Sequence, residues 1–122
     1  MQTFAVIIFY LALTLFLTHE MDAVRRREWK MFIILKDMED EKAYHIFLLL
    51  HIPLYLTILL LLLSPFSQIA YYIVDVFLIA HMLIHLAFRN HQANKFDNTV
   101  SKMIINLAGI LAVIHLVLLS IC

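Results

Sequence analysis

The chain contains very little glycine, proline or cysteine. Of its 122 residues one is glycine (Gly109), two are proline and one is cysteine (Cys122). Loops that cradle phosphate groups need several glycines, so nucleotide-binding folds built on such loops are excluded. Packing of helices through repeated glycines is excluded for the same reason. A single cysteine cannot form an intrachain disulfide, so the cysteine content does not indicate a redox compartment.

Charged residues are also scarce, and their signs balance. They make up 15% of the chain, with nine basic and nine acidic side chains and a formal net charge of +0. Because nucleic-acid-binding domains normally carry an excess of basic residues, no nucleic-acid partner is expected. Hydrophobic residues reach 64%, and the mean hydropathy is +0.92. Soluble domains are nearer half apolar, so the expected partner of this surface is the lipid bilayer.

Four apolar stretches approach or reach the roughly 20 residues that a helix needs to cross a bilayer. They predict an all-α fold, an integral membrane four-helix bundle. It forms a single transmembrane domain over residues 1–122, with helices over residues 3–18, 43–63, 68–88 and 103–122. The first stretch has neither a basic leading segment nor a small-residue cleavage site, so it is interpreted as a retained helix rather than a signal peptide.

The basic residues predict the orientation of the bundle. All nine lie in the first and third loops or at the edges of those loops. By the positive-inside rule both loops face the cytoplasm, and both termini lie on the non-cytoplasmic side. Residues 24–36 predict an amphipathic helix on the membrane surface, with Trp29 among the headgroups. The basic run at residues 25–30, which includes Glu28, is interpreted as a topology anchor.

Several polar and ionisable side chains fall within or at the ends of the predicted spans, where such groups are costly and commonly functional. They are His19 and Glu20 at the end of the first helix, His51 in the second, Asp75, His81 and His85 in the third, and Asn106 and His115 in the fourth. From the rise of about 1.5 Å per helical residue, His51 and His81 lie at one depth, with His85 one turn nearer the cytoplasm. Asp75 and His115 form a deeper layer.

Helical periodicity predicts which faces point inward. At 100° per residue, one side of the third helix carries Tyr71, Asp75, Leu78, His81, Met82 and His85. The opposite side, a predicted lipid face, carries Ile73, Phe77, Ala80, Ile84 and Ala87. On the first helix Thr3, Tyr10 and Thr14 share one stripe, and His19 lies on the other side unless the helix breaks near Thr18.

His51, His81 and His85 form the strongest predicted constellation, with His115 and His19 as further ligands. Neutral imidazole is the commonest protein ligand of transition metals, and three such nitrogens with an open position are typical of catalytic zinc. The pattern predicts a metal-binding membrane protein, with zinc or iron in the cytoplasmic half. Glu20 or Asp75 is the predicted general base. One hypothesis is a metal-dependent hydrolase or oxidoreductase that acts on a lipid-soluble substrate; whether the protein is an enzyme stays open.

Three alternatives use the same residues differently. His51 and His81 could clamp a haem from two helices, giving an electron-transfer protein. His85, His81, Asp75 and His115 could form a proton or cation pathway, as relays in transporters do. The chain could also be a non-enzymatic subunit or effector that acts as a homo-oligomer, with its histidines as packing groups.

The sequence at residues 17–22, Leu-Thr-His-Glu-Met-Asp, is followed by Trp29 and Phe32. This segment resembles a family of small bacterial four-helix membrane proteins of unknown function with a His-Glu signature at the end of the first helix. The resemblance covers the first quarter of the chain. It implies a location in a bacterial inner (plasma) membrane and a place for His19 and Glu20 in the functional site. It implies no particular activity.

Overall fold

A computed structural model describes residues 2–121, and within them the fold consists of four long helices. They are α1 (Gln2–Arg26), α2 (Asp40–Leu63), α3 (Ser67–Ala87) and α4 (Thr99–Ile121), with a short 3-10 helix, Glu28–Met31, after α1. Each long helix is apolar enough and long enough to cross a membrane. The predicted all-α architecture of four membrane-type helices is therefore confirmed. Cys122, the end of the predicted fourth span, lies outside the described residues.

Helix α1 is longer than predicted and continues through Thr18 without a break. The hydroxyl of Thr14 donates to the carbonyl of Tyr10 at 2.7 Å, and that of Thr18 to the carbonyl of Thr14 at 2.9 Å. Both hydroxyls bond to backbone carbonyls of α1, so this side of the helix needs no polar partner in the bundle and can face outward. The buried stripe of α1 is instead Ala5, Phe9, Ala12, Phe16, His19 and Ala23. A regular helix therefore turns His19 into the bundle.

The predicted amphipathic surface helix over residues 24–36 is wrong. Helix α1 ends at Arg26, and Arg27 takes a left-handed backbone conformation (φ 54°, ψ 51°) that reverses the chain. Left-handed residues commonly end helices in this way, although glycine is the usual choice. Trp29 is buried rather than lying among headgroups, and its indole nitrogen donates to Asp40 at 2.9 Å. The segment after α1 therefore folds against the bundle.

Helix α4 is the central element, because it packs along both α1 and α3, whereas α2 lies at the periphery. Small buried residues on α4 allow close approach; they are Ser101, Ala108, Gly109 and Ala112. A Cβ added at Gly109 would lie 2.7 Å from the Cβ of Met82, so only glycine permits this contact with α3. This contact holds α3 against α4 at Met82, the residue next to His81. The residues of the predicted lipid face of α3 are exposed, as expected.

Candidate metal centre

Four side chains from three elements converge at one end of the bundle. They are His19 on α1, Glu28 on the 3-10 helix, and His81 and His85 on α3, named here the histidine–glutamate cluster. Each offers one ligand atom, and these atoms all lie within 4.8 Å of one another. His19, Glu28 and His85 are buried, and His81 is mostly buried. The arrangement can hold a single metal ion.

The separations of the donor atoms suit coordination to one centre. The Nε2 atoms of His19 and His81 are 2.8 Å apart. The Nε2 of His85 lies 3.1 Å from a Glu28 oxygen, and the Nε2 of His19 lies 3.6 Å from the other oxygen. Around tetrahedral zinc, with bonds of about 2.0–2.1 Å, neighbouring donors are about 3.3–3.4 Å apart. The observed separations run from 2.8 Å to 3.9 Å between His81 Nε2 and a Glu28 oxygen, within an overall limit of 4.8 Å, so the side chains would have to move to close on one ion.

Each element positions its donor through a simple local rule. His81 and His85 are four residues apart on one helix, so both face the same point. His19 belongs to the buried stripe of α1, and Glu28 follows the left-handed Arg27 that turns the chain back toward α3. Buried Phe96 packs its ring 5.2 Å from the ring of His19 and 4.8 Å from that of His85. Phe96 therefore covers one side of the cluster.

Glu28 supplies the negative charge of the cluster. Burial by itself would raise the pKa of Glu28, but hydrogen bonds from His19 and His85, and the nearby charges of His19 and His81, outweigh it. The pKa of this carboxyl group is therefore held well below its usual range. Glu28 is a carboxylate at neutral pH and offers its oxygens to a cation.

The hydrogen bonding of the cluster is incomplete within residues 2–121. The Nδ1 atoms of His19 and His85 are buried without a hydrogen-bond partner there. The 2.8 Å contact between His19 and His81 joins two ring nitrogens, so one of them must carry a proton and donate a hydrogen bond to the other. A cation between these nitrogens would replace that hydrogen bond with two ligand bonds.

His51 and Glu20, two predicted site residues, form a pair beside the cluster rather than within it. The Nδ1 of His51 donates to the carbonyl of Phe47 at 2.6 Å, and its Nε2 meets the carboxyl group of Glu20. Because a carbonyl only accepts, Nδ1 carries a proton, and a further proton lies between Nε2 and Glu20 if the pair is neutral. Both ring nitrogens of His51 are thereby engaged, and the pair ties α1 to α2.

His115 and Asp75 form a second, fully buried pair deeper in the bundle. Their side chains are 0% exposed, and Nδ1 of His115 lies 2.6 Å from Oδ2 of Asp75. The other polar atoms of the pair, Asp75 Oδ1 and His115 Nε2, have no hydrogen-bond partner in the described chain. The rings of Phe9 and Tyr71 pack against His115. The structure therefore separates this pair from the cluster, in line with the two depths deduced from the sequence.

Sequence reasoning missed Glu28, which it assigned to a topology anchor. The residue lies between basic residues, and the turn that buries it depends on a left-handed arginine that has no sequence signature. One signal was available. Glu28 follows His19 by nine positions, in a chain with several intramembrane histidines. A buried carboxylate needs a partner, and these histidines could provide one.

Comparison with known proteins places the chain in a family without assigning an activity. No curated protein and no solved structure matches it significantly. A family model matches residues 5–121, a range that includes the whole histidine–glutamate cluster, the Glu20–His51 pair and the Asp75–His115 pair. The chain therefore belongs to DUF6713, a family of unknown function.

Proposed function

We propose that the protein is a metal-binding integral membrane protein that holds one transition-metal ion in the histidine–glutamate cluster. The observation that carries this proposal is the convergence of three imidazoles and one carboxylate within 4.8 Å. Burying these polar groups in a membrane-type bundle is costly unless they are satisfied, and one cation would bind one donor atom of each residue. His19, His81 and His85 were expected ligands, and Glu28 takes the fourth place.

The donor set favours zinc or iron. Nitrogen and carboxylate oxygen without sulfur suit either ion. A tetrahedral zinc ion would have all four positions filled, which is typical of structural sites. An octahedral iron ion would keep two positions open for substrate, which suits an oxidoreductase. A bound ion would supply Lewis acidity or redox chemistry there. The coordination number of the bound ion therefore distinguishes the two roles: four favours a structural site, and six, with two positions open, favours an enzyme.

The geometry favours a bare ion over haem. A haem needs its two axial nitrogens on opposite faces of the porphyrin. The facing nitrogens of His19 and His81 are only 2.8 Å apart, which leaves no room for a ring between them. His51, the other residue considered for haem, is turned toward Glu20.

The buried apolar residues also favour a metal centre over a continuous proton or cation pathway. Along α3 the buried Leu78 lies between Asp75 and His81. Along α1 the buried Phe16 lies between Phe9 and His19. An apolar layer therefore separates the deep Asp75–His115 pair from the cluster, and a relay would need polar groups across it.

X-ray absorption spectroscopy of the metal-loaded protein tests the proposed donor set. With zinc we expect about three nitrogen and one oxygen neighbours at about 2.0–2.1 Å, with the outer-shell pattern of imidazole and no sulfur. The matched control is His51→Ala, which should leave the spectrum unchanged because His51 lies outside the cluster. A sulfur shell, a porphyrin absorption band, or loss of one imidazole in His51→Ala would contradict this donor set.

We also propose that the cluster lies in the cytoplasmic half of the membrane, with both termini on the other side. The cluster is at the end of α1 and α3 that adjoins the basic loops, and such loops stay in the cytoplasm. In a bacterial inner membrane, alkaline phosphatase fused to the C-terminus should be active, and the same reporter inserted at His91 should be inactive. The reverse pattern would overturn this orientation.

A further inference from the structure

A cavity of about 330 Å³, lined by both polar and apolar side chains, lies between the end of α3 and the start of α4, directly beside the cluster. His85 belongs to both the cavity wall and the histidine–glutamate cluster. The polar side chains that line it are Arg89, Asn90, Asn94, Asp97, Lys102 and Asn106. Ligand sites in proteins begin at about 300 Å³, so this cavity has room for a small headgroup.

The cavity carries an excess of positive charge. The charged side chains in the cavity wall are Arg89, Lys102 and one carboxylate, Asp97, so the wall has a net charge of +1. Within residues 2–121 neither Arg89 nor Lys102 forms an ion pair within 4 Å. Two uncommitted cations beside a single acid suit a singly charged anion better than a doubly charged one.

Two polar groups in the wall are poised for a ligand. His85 is 7% exposed, its Nε2 is turned to Glu28, and its Nδ1 has no partner in the described chain. Asn106 lies half-buried on α4 within a membrane-type helix, and its amide takes part in none of the side-chain hydrogen bonds of residues 2–121. Such amides are costly in a bilayer unless bonded. Oxygen atoms of a ligand would satisfy both groups.

The wall is built to keep its shape. The side-chain amide nitrogen of Asn94 donates to the carbonyls of Phe88 at 3.2 Å and Arg89 at 3.1 Å. Its oxygen accepts from the backbone N–H of Phe96 at 2.9 Å. Asn94 therefore holds the loop so that Phe96 packs against His85. Leu86 and Ile105 supply an apolar side to the same cavity.

We propose that this cavity binds a singly charged phosphodiester group and presents it beside the metal centre. Arg89 and Lys102 neutralise the phosphate, and the polar groups of His85 and Asn106 bond its oxygens. The apolar side of the cavity suits an acyl chain, so an anionic phospholipid headgroup and a soluble phosphodiester share the required chemistry. The role of the cavity as a substrate site rests on the proposed metal centre, whereas binding of the phosphodiester does not.

Lipid binding by the full chain in detergent tests the proposal, with short-chain phosphatidylglycerol as the probe and phosphatidylcholine as the zwitterionic comparison. Each cation that bonds the phosphate directly is worth about a fivefold change in affinity. Arg89→Gln/Lys102→Gln should therefore weaken phosphatidylglycerol binding by about 25-fold. Lys95→Gln removes a cation of the same loop that does not line the cavity, and without a direct bond to lose it should change binding by less than about twofold.

The remaining measurements separate the two proposals. Elemental analysis should find metal in the double variant, whereas His81→Ala should lose metal and still bind phosphatidylglycerol. Glycerophosphoglycerol, the soluble headgroup, is added as a competitor. If glycerophosphoglycerol competes as strongly as unlabelled phosphatidylglycerol, the natural ligand is a water-soluble phosphodiester. If it competes more weakly, the natural ligand is a lipid. Unchanged binding in the double variant would overturn the cavity assignment while leaving the metal centre intact. Equal binding of phosphatidylcholine, weakened by the same double variant, would support recognition of the phosphodiester itself, which both lipids carry.

Discussion

His81→Ala is expected to abolish stoichiometric metal binding. The His81 Nε2 lies 2.8 Å from that of His19, so removing it opens one side of the donor set. Loss of a group that only supports a ligand lowers metal affinity by about 10–100-fold, and loss of a ligand should cost at least about 100-fold. Titration against a chromophoric chelator measures the affinity.

The His81→Ala protein should still fold, because the His81 side chain, at 18% exposed, is the most exposed of the four and Glu28 keeps His19 and His85 as partners. The matched control is His45→Ala, since His45 is exposed and its ion-pair partner is the nearby Glu41. Equal metal affinity in His81→Ala and the parent protein would remove His81 from the site. Equal loss in His45→Ala would show that metal binds at surface histidines instead.

His115→Ala is expected to cause the largest loss of stability among single changes in the deep layer. Asp75 is 0% exposed, and His115 supplies its one hydrogen bond in the described chain. Removing one partner of a buried pair costs about 3–5 kcal/mol, because the other group is left uncompensated. Unfolding in mixed micelles with increasing sodium dodecyl sulfate measures the free energy of unfolding, while metal content should stay unchanged.

Asp75→Leu/His115→Leu provides the decisive comparison for the deep pair. Replacing both members of a buried pair with apolar residues is often neutral or stabilising. The double variant should therefore unfold near the midpoint of the parent protein and keep its metal. A double variant as unstable as His115→Ala would count against a packing role for the pair. Loss of metal in either variant would instead return His115 to the ligand set predicted from the sequence.

Acid–histidine pairs recur at the helix contacts of this bundle. Glu20 and His51 join α1 to α2, Asp75 and His115 join α3 to α4, and Glu28 meets the histidines of the cluster. Paired groups of this kind lower the cost of polar residues in a bilayer. His51 and His115 each have one acidic partner in this way. Within residues 2–121 the cluster gathers more donors than one hydrogen-bonded pair needs.

The sequence predicts most of the fold because bilayer length and helical periodicity are local properties. The four apolar runs identify the helices, and the 100° count separates the inward Asp75 and His85 from the outward Ile73 and Ile84. The end of α1 was misjudged because Thr14 and Thr18 satisfy their own hydroxyls along a continuing helix.

The candidate site was only partly predictable because it depends on how the helices are rotated and packed against one another. Depth alone grouped His51 with His81, but the rotation of α2 against α1 turns His51 toward Glu20. That rotation has no local sequence signal. Glu28 enters the cluster through the left-handed backbone of Arg27, a conformation that arginine rarely adopts.

Metal analysis of the purified wild-type protein, by inductively coupled plasma mass spectrometry with an absorption spectrum of the same sample, tests the central proposal most directly. The histidine–glutamate cluster predicts close to one zinc or iron ion per chain, without a haem band. Zinc, iron, copper and nickel all far below one ion per chain, in protein that also fails to take up these ions when they are added, would contradict a metal centre.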